Sequence, residues 1–64
     1  ERLLSIREKE VLAMIDKGRA SKEIAADLLI SVNTVNRHRQ NILQKLQAAN
    51  SVEACRIARS LNLI

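Results

Sequence analysis

Residues 21–46, SKEIAADLLISVNTVNRHRQNILQKL, decide how this chain folds. From Ser21 through Leu28, the residues Ile24, Ala25 and Leu28 fall at i, i+1 and i+4, the spacing of one helical face. Ala25 is small enough there to let a second helix cross closely. A further segment opens at Ser31 and continues to about Leu46, with Val35, Ile42 and Leu46 on one side. The connection between the two is very short. Two helices joined so tightly predict a helix-turn-helix.

Outward from this pair, the same signals predict two more helices. One begins at Ser5, where Glu8 three residues later completes a capping box. It buries Val11, Leu12 and Ile15 and stops at Gly18, which takes the left-handed backbone at no steric cost. The other begins at Ser51, with Glu53 near its positive end and Ala54, Ile57, Ala58 and Leu61 as its apolar stripe. Each helix thus starts at a serine, read as its cap. Residues 1–4 and 62–64 are expected to fray. The expected architecture is all-α, a compact four-helix domain containing a helix-turn-helix and spanning residues 1–64.

Composition narrows the choice further. The chain has 64 residues, enough for one small domain, and 47% of them are hydrophobic, enough for a core. Aromatic residues are 0%, so the core is aliphatic and no ring is present to stack on a base or cofactor. One glycine and no proline disfavour a turn-rich β-fold. A single cysteine, Cys55, makes no internal disulfide and points to a reducing, cytoplasmic setting. No apolar run is long enough to span a membrane. The net charge is +4, and all of it lies in residues 31–64, where Arg37, Arg39, Lys45, Arg56 and Arg59 face Glu53 alone. That imbalance points to an anionic partner.

The third helix shows where the partner lies. With Val35 at roughly 0° and about 100° per residue, Ile42 and Leu46 stay within about 20° of it. Asn36, Gln40, Asn33, Gln44 and Arg37 then occupy an arc from about 100° to about 200°. This outward face is rich in amides, contains a guanidinium and has no acidic residue. An ordinary solvated face mixes Glu with Lys or Arg at i, i+4. Asparagine weakens a helix and gives it no packing in return. Asn and Gln can bond adenine bidentately and Arg can bond guanine, so the face suits base readout in the major groove. Thr34, His38, Asn41 and Lys45 on its flank suit phosphate contacts.

The run Leu4-Ser5-Ile6-Arg7-Glu8-Lys9-Glu10-Val11-Leu12, with Gly18, Ser21-Lys22-Glu23-Ile24-Ala25, Ile30-Ser31-Val32-Asn33-Thr34-Val35, His38, Ile42-Leu43-Gln44-Lys45-Leu46 and Asn50-Ser51, resembles the LuxR-type (GerE, NarL/FixJ) DNA-binding domain. The likeness covers nearly the whole chain without gaps. It implies a four-helix domain found at the C-terminus of longer bacterial transcription regulators, behind a receiver or ligand-sensing domain. It implies that the third helix, about 32–46, is the recognition helix and that the fourth forms the dimer contact. Carried over by position, base-facing sites fall on Asn36, Arg37 and Gln40. Phosphate contacts fall around Ser21, Lys22, Asn33, Thr34 and Lys45. Ile6 stands where the family often has proline, Gln47 where Gly or Asn is usual, and Arg39 where many members have an aliphatic.

Other residues have plainer readings. His38 lacks companions for a metal and a nucleophile for acid–base chemistry, so it packs or donates to phosphate. Arg39 lies near the buried side and is expected to pair with Glu8 or Glu10, with a phosphate clamp as its competing role. Cys55 reads as a small, partly buried apolar residue. Val52, Cys55, Arg56 and Arg59 lie off the core stripe of the fourth helix, either as a dimer interface or simply as an exposed face. No catalytic constellation, metal site or cofactor site is expected, nor a small-molecule ligand. The expected partners are double-stranded DNA, a second copy of the chain and, as a further candidate, RNA polymerase. Two rivals remain open: a domain like region 4 of a sigma factor, and a helical protein-interaction module that does not bind DNA.

Overall fold

The computed structural model describes residues 3–64 and contains four helices: α1 (Ile6–Asp16), α2 (Ser21–Leu28), α3 (Val32–Leu46) and α4 (Ser51–Ser60). α3 packs against each of the others, α1 also touches α2 and α4, and α2 and α4 do not pack on one another. The core is the aliphatic one expected. Leu4, Val11, Leu12, Ile24, Ala25, Val35, Ile42, Leu46, Ala54, Cys55 and Ala58 are buried together. Fully burying one Val, Leu or Ile side chain contributes about 1.5–3 kcal/mol, so the long side chains in this set hold the domain together.

The helix starts partly depart from the sequence reading. Ser5 caps α1: its Oγ accepts from the Glu8 N–H at 3.1 Å, and Glu8 Oε1 accepts from the Ser5 N–H at 2.9 Å. Ser31 caps α3 by accepting from the Thr34 N–H at 3.0 Å. Ser21 and Ser51, however, are the first residues inside their helices, and the caps are Ala20 and Asn50. The acidic residues explain the register. A capping-box glutamate sits three residues after the cap. Counting back from Glu23 and Glu53 gives Ala20 and Asn50, whose partners are in place: Ala20 N–H donates to Glu23 Oε1 at 2.9 Å, and Glu53 N–H to Asn50 Oδ1 at 2.9 Å. Both hydroxyls, Ser21 and Ser51, are therefore free for other work.

All four helices end in one way. The N–H of Arg19, Ile30, Ala48 and Leu63 reaches back five residues to the carbonyl of Met14, Ala25, Leu43 and Ala58, at 3.1, 3.0, 2.9 and 2.8 Å. The preceding residue has a positive φ each time: Gly18 (87°), Leu29 (59°), Gln47 (53°) and Asn62 (59°). This is the Schellman closure, which puts an apolar residue just beyond the helix against the core. Ile30, Ala48 and Leu63 do so here. The expectation of a frayed tail at 62–64 is thus corrected, because Leu63 and Ile64 pack on the core. At the other end Leu4 is fully buried, and the part of that expectation on residues 1–2 lies outside the described residues. Leu61, placed on the apolar stripe of α4, is instead exposed just past the helix end.

The α2–α3 turn illustrates the cost of this closure. Leu29 holds a left-handed backbone while its side chain is 91% exposed. A residue with a Cβ pays roughly 1–2 kcal/mol for that conformation, whereas glycine does not. Leu29→Gly is expected to stabilise the domain by about 0.5–1 kcal/mol, a rise of a few degrees in Tm, and Leu29→Ala to give no such gain. Thermal unfolding of the three proteins by circular dichroism checks this.

Candidate nucleic-acid interface

The buried stripe of α3 fixes its rotation. With Val35, Ile42 and Leu46 inward, Asn33, Asn36, Arg37, Gln40 and Gln44 are all exposed. No other segment of the described chain covers that face. Arg37 makes no ion pair among the described residues. Thr34 is exposed at the start of the helix, with its Oγ1 2.9 Å from Ser31 Oγ, and Asn41 is half-buried on the flank. Lys22, also exposed, sits in the first turn of α2. That helix has no side-chain cap, so its first N–H groups point outward unblocked, a natural seat for a phosphate. The expected readers are thus exposed on α3, with Ser21 of α2 bonded to Asn36 and with Thr34 and Asn41 on the opposite flank.

Two cations of α3 are otherwise engaged. Lys45 Nζ lies 2.8 Å from Glu8 Oε1 and donates to it. This contact pins the C-terminal end of α3 to the first turn of α1. Glu8 itself is 4% exposed. Burial alone would push its pKa up. The bond from Lys45, together with those from the backbone and hydroxyl of Ser5 and the nearby ammonium charge, outweighs burial and leaves it below the usual 4.5.

Arg39 does not meet Glu8 or Glu10, as the sequence led us to expect. Its Nη1 donates to Ser21 Oγ at 3.3 Å and its Nη2 to Ser51 Oγ at 2.9 Å. Ser21 in turn donates to Asn36 Oδ1 at 3.1 Å. The reason is register: Glu8 is taken by Lys45, and the two misassigned serines present hydroxyls to the guanidinium. Ser51 was missed as a contributor to this side of the molecule. Its signal was available in the spacing of Glu53, which places Ser51 one residue inside the helix rather than at its cap.

On α4, Val52 is 80% exposed and Arg56 is exposed, whereas Cys55 is 5% exposed and packs against α1, with Sγ 4.0 Å from the Leu12 carbonyl. Burial, and then the Asp16 charge nearby, raise the Cys55 thiol above its usual 9.0, so it stays protonated and unreactive at neutral pH. Arg59 pairs with Asp16 of α1. Ile15, Asp16, Ser51, Val52, Cys55 and Arg59 border a shallow groove between α1 and α4.

A helix-turn-helix held in a small four-helix frame, with an uncovered amide-and-guanidinium face on its second helix, is the architecture of a DNA-binding domain. Comparison with known proteins agrees. The family described as "Bacterial regulatory proteins, luxR family" matches residues 2–58. The chain is 47% identical over 60 residues to the uncharacterized transcriptional regulatory protein YhcZ of Bacillus subtilis (strain 168), covering 94% of this chain and 28% of that protein. It superposes on the transcription factor GerE with a TM-score of 0.94 and 30% identity, covering 98% of this chain and 94% of GerE. It superposes on the response regulator ChrA of a heme-sensing two-component system with a TM-score of 0.93 and 38% identity, covering 100% of this chain and 32% of ChrA. The chain belongs to the LuxR family of bacterial regulatory proteins, and this helix-turn-helix domain serves DNA binding in transcription regulation. The family is one of regulators, not enzymes. The chain spans less than a third of the length of curated relatives such as YhcZ. No helix among the described residues is long and apolar enough to cross a membrane.

The Glu8–Lys45 pair sets a pH dependence. A carboxyl held below its unfolded pKa stabilises the fold above that value and loses its contribution as the pH falls through the folded one. The wild-type domain should therefore lose stability progressively below about pH 4.5. Lys45→Met leaves a buried carboxylate without its cation, at a cost of about 1–3 kcal/mol near neutral pH. The gap between variant and wild type should close on acidification, because a protonated Glu8 tolerates burial. Urea unfolding at several pH values from 7 down to 3 measures both trends.

Proposed function

We propose that α3 lies in the major groove of double-stranded DNA and reads bases through Asn36, Arg37 and Gln40. Lys22, Asn33, Thr34 and Asn41 position the domain on the phosphates, and Ser21 contributes its backbone N–H at the uncapped start of α2. The observation that carries this reading is the exposed, acid-free face of α3, which its buried stripe turns outward. Lys45 belongs to the set only in part, since a phosphate must share it with Glu8. The domain occupies residues 1–64 as the C-terminal part of a longer cytoplasmic regulator, whose signal-receiving portion lies outside these residues. Two copies bind paired half-sites through α4. Val52 and Arg56 supply the exposed part of that contact, with Cys55 on the groove floor and Arg59 at its rim. RNA polymerase is a further partner for the DNA-bound regulator.

A bidentate base contact is worth about 1–3 kcal/mol of discrimination, while a phosphate contact carries none. Selection of bound sequences from a random duplex library, followed by titrations at several salt concentrations, tests the division of roles. Arg37→Ala should relax preference at one base pair per half-site by roughly five- to a hundredfold. Lys22→Ala should weaken all sequences alike and reduce the slope of log K against log salt by about 1. A uniform loss in both variants would refute the assignment of reader and positioner. Val52→Glu should abolish cooperative binding to paired half-sites and leave binding to one half-site intact.

A further inference from the structure

The reading above assigns Asn36 to base contact but leaves open what holds its amide in place. An exposed asparagine has several rotamers and two opposite faces, with a donor at one end and an acceptor at the other. Which end faces the DNA decides whether the residue reads an acceptor or a donor on the base. We propose that Arg39 is the positioning residue for Asn36: through Ser51 and Ser21 it locks the Asn36 amide with its oxygen turned inward, so that the site reads a hydrogen-bond acceptor on the base. The proposal rests on α3 being the reading helix.

The hydrogen bonds favour one direction. Arg39 has donors and no acceptor, so Ser21 Oγ and Ser51 Oγ must both accept from it, at 3.3 and 2.9 Å. With its oxygen occupied by a cationic donor, Ser21 has a proton left to give. It gives that proton to Asn36 Oδ1, 3.1 Å away. The opposite amide orientation would make Ser21 Oγ accept from both Asn36 and Arg39 and leave its own proton without a partner among the described hydrogen bonds. Charge-assisted bonds strengthen those further along the chain. No partner for Asn36 Nδ2 appears among the described hydrogen bonds, so its two hydrogens are left for a ligand.

Geometry gives Arg39 this role and no other residue. It is half-buried, between α2 and α4, which do not pack on each other. Its planar fork reaches the first residue of both helices, which a lysine's single ammonium cannot do in the same fixed geometry. The hydroxyls are free because Ala20 and Asn50 take the cap positions. The chain of bonds Ser51–Arg39–Ser21–Asn36 therefore runs from the start of α4 to a reader on α3. An amide presenting only donors favours the acceptor edge of a purine, N7 with or without guanine O6, or thymine O4. It rejects the amino group of cytosine at that place.

The experiment is library selection with the 64-residue chain, resolved by base pair, on wild type and on Asn36→Ala, Arg37→Ala, Arg39→Gln and Ser51→Ala. Ser51 borders the same concavity as Asn36 and Gln40 but is not among the proposed DNA contacts, and its loss leaves the Asn50 cap in place. Wild type should disfavour cytosine on the strand facing Asn36. Arg39→Gln and Ser51→Ala should both relax preference at the base pair that Asn36→Ala relaxes, by about three- to tenfold, and leave the Arg37 position unchanged. In the free protein, the Asn36 side-chain amide resonances should shift and sharpen in both variants. If Arg39→Gln fails to fold, Ser51→Ala alone decides. The proposal is overturned if Asn36→Ala relaxes one base pair while Ser51→Ala and any folded Arg39→Gln keep full preference there, or if they weaken every sequence equally. It is equally overturned if wild type accepts cytosine opposite Asn36. If neither Asn36→Ala nor Arg37→Ala changes any preference, the reading helix itself has been misassigned, a distinct result that removes this inference with it.

Discussion

Burial of Val35, Ile42 and Leu46 on one side of α3 is the constraint from which the interface follows. A helix that contributes core on one face has no rotational freedom left. Because the interior holds no aromatic ring, that core is assembled from branched aliphatics and small residues, which pack only when the helices approach closely. Ala25, Ala54 and Ala58 permit that approach, and α3 consequently touches each of the other helices. The polar arc is then exposed by necessity. A slip of α3 by one residue would turn it by about 100° and bury an amide or expose Val35. The buried stripe thus sets both the stability of the fold and which side chains of α3 face outward.

The four closures matter for the same reason. Each Schellman turn redirects the chain sharply and three of the four drop an apolar residue onto the core, so four helices fit into a globule with a radius of gyration of 10.6 Å. Only one of the left-handed positions is glycine. At Leu29, Gln47 and Asn62 the chain tolerates a strained backbone, which shows that the packing of Ile30, Ala48 and Leu63 outweighs the local cost. Leu29 is the clearest case, since its own side chain returns almost no burial.

Much of this was legible in the residues. Apolar periodicity gave the four helices and nearly all of the core, and the wheel of α3 gave the exposed face, because both depend on local spacing. What escaped depends on register at helix ends and on contacts between distant segments. The serine rule placed Ser21 and Ser51 one position too early, although the glutamates two residues after them carried the correction. That slip hid the two hydroxyls, and without them Arg39 had no evident partner except an acid on α1. Fraying at the C-terminus was wrong because a polar Asn62 disguised a helix closure whose purpose is visible only when Leu63 meets the core. The outer face of α4 proposed for dimer contact was the least legible, since Cys55 sits on the boundary between core and surface and a sequence pattern does not say which side wins.

The electrostatics need a different argument from the one the charge count suggests. The surplus lies in residues 31–64, yet most of its cations are engaged within the chain. Lys45 bonds Glu8, Arg59 pairs with Asp16, Arg56 lies near Glu53, and Arg39 serves the serines. The Arg56–Glu53 pair is exposed and worth little, so Arg56 is readily available to another partner. Arg59 is less so, being held across α1. Of the cations on α3 itself only Arg37 is unencumbered, and it stands among amides. Net charge therefore overstates the electrostatic attraction that α3 exerts on a phosphate backbone. On α3, then, Arg37 is the cation left to release counterions on contact, and the sequence-independent contribution of this helix stays small. On the proposed reading, a helix face built this way gains little from DNA in general and more from matching base edges, and pairing two domains would offset the modest hold of one.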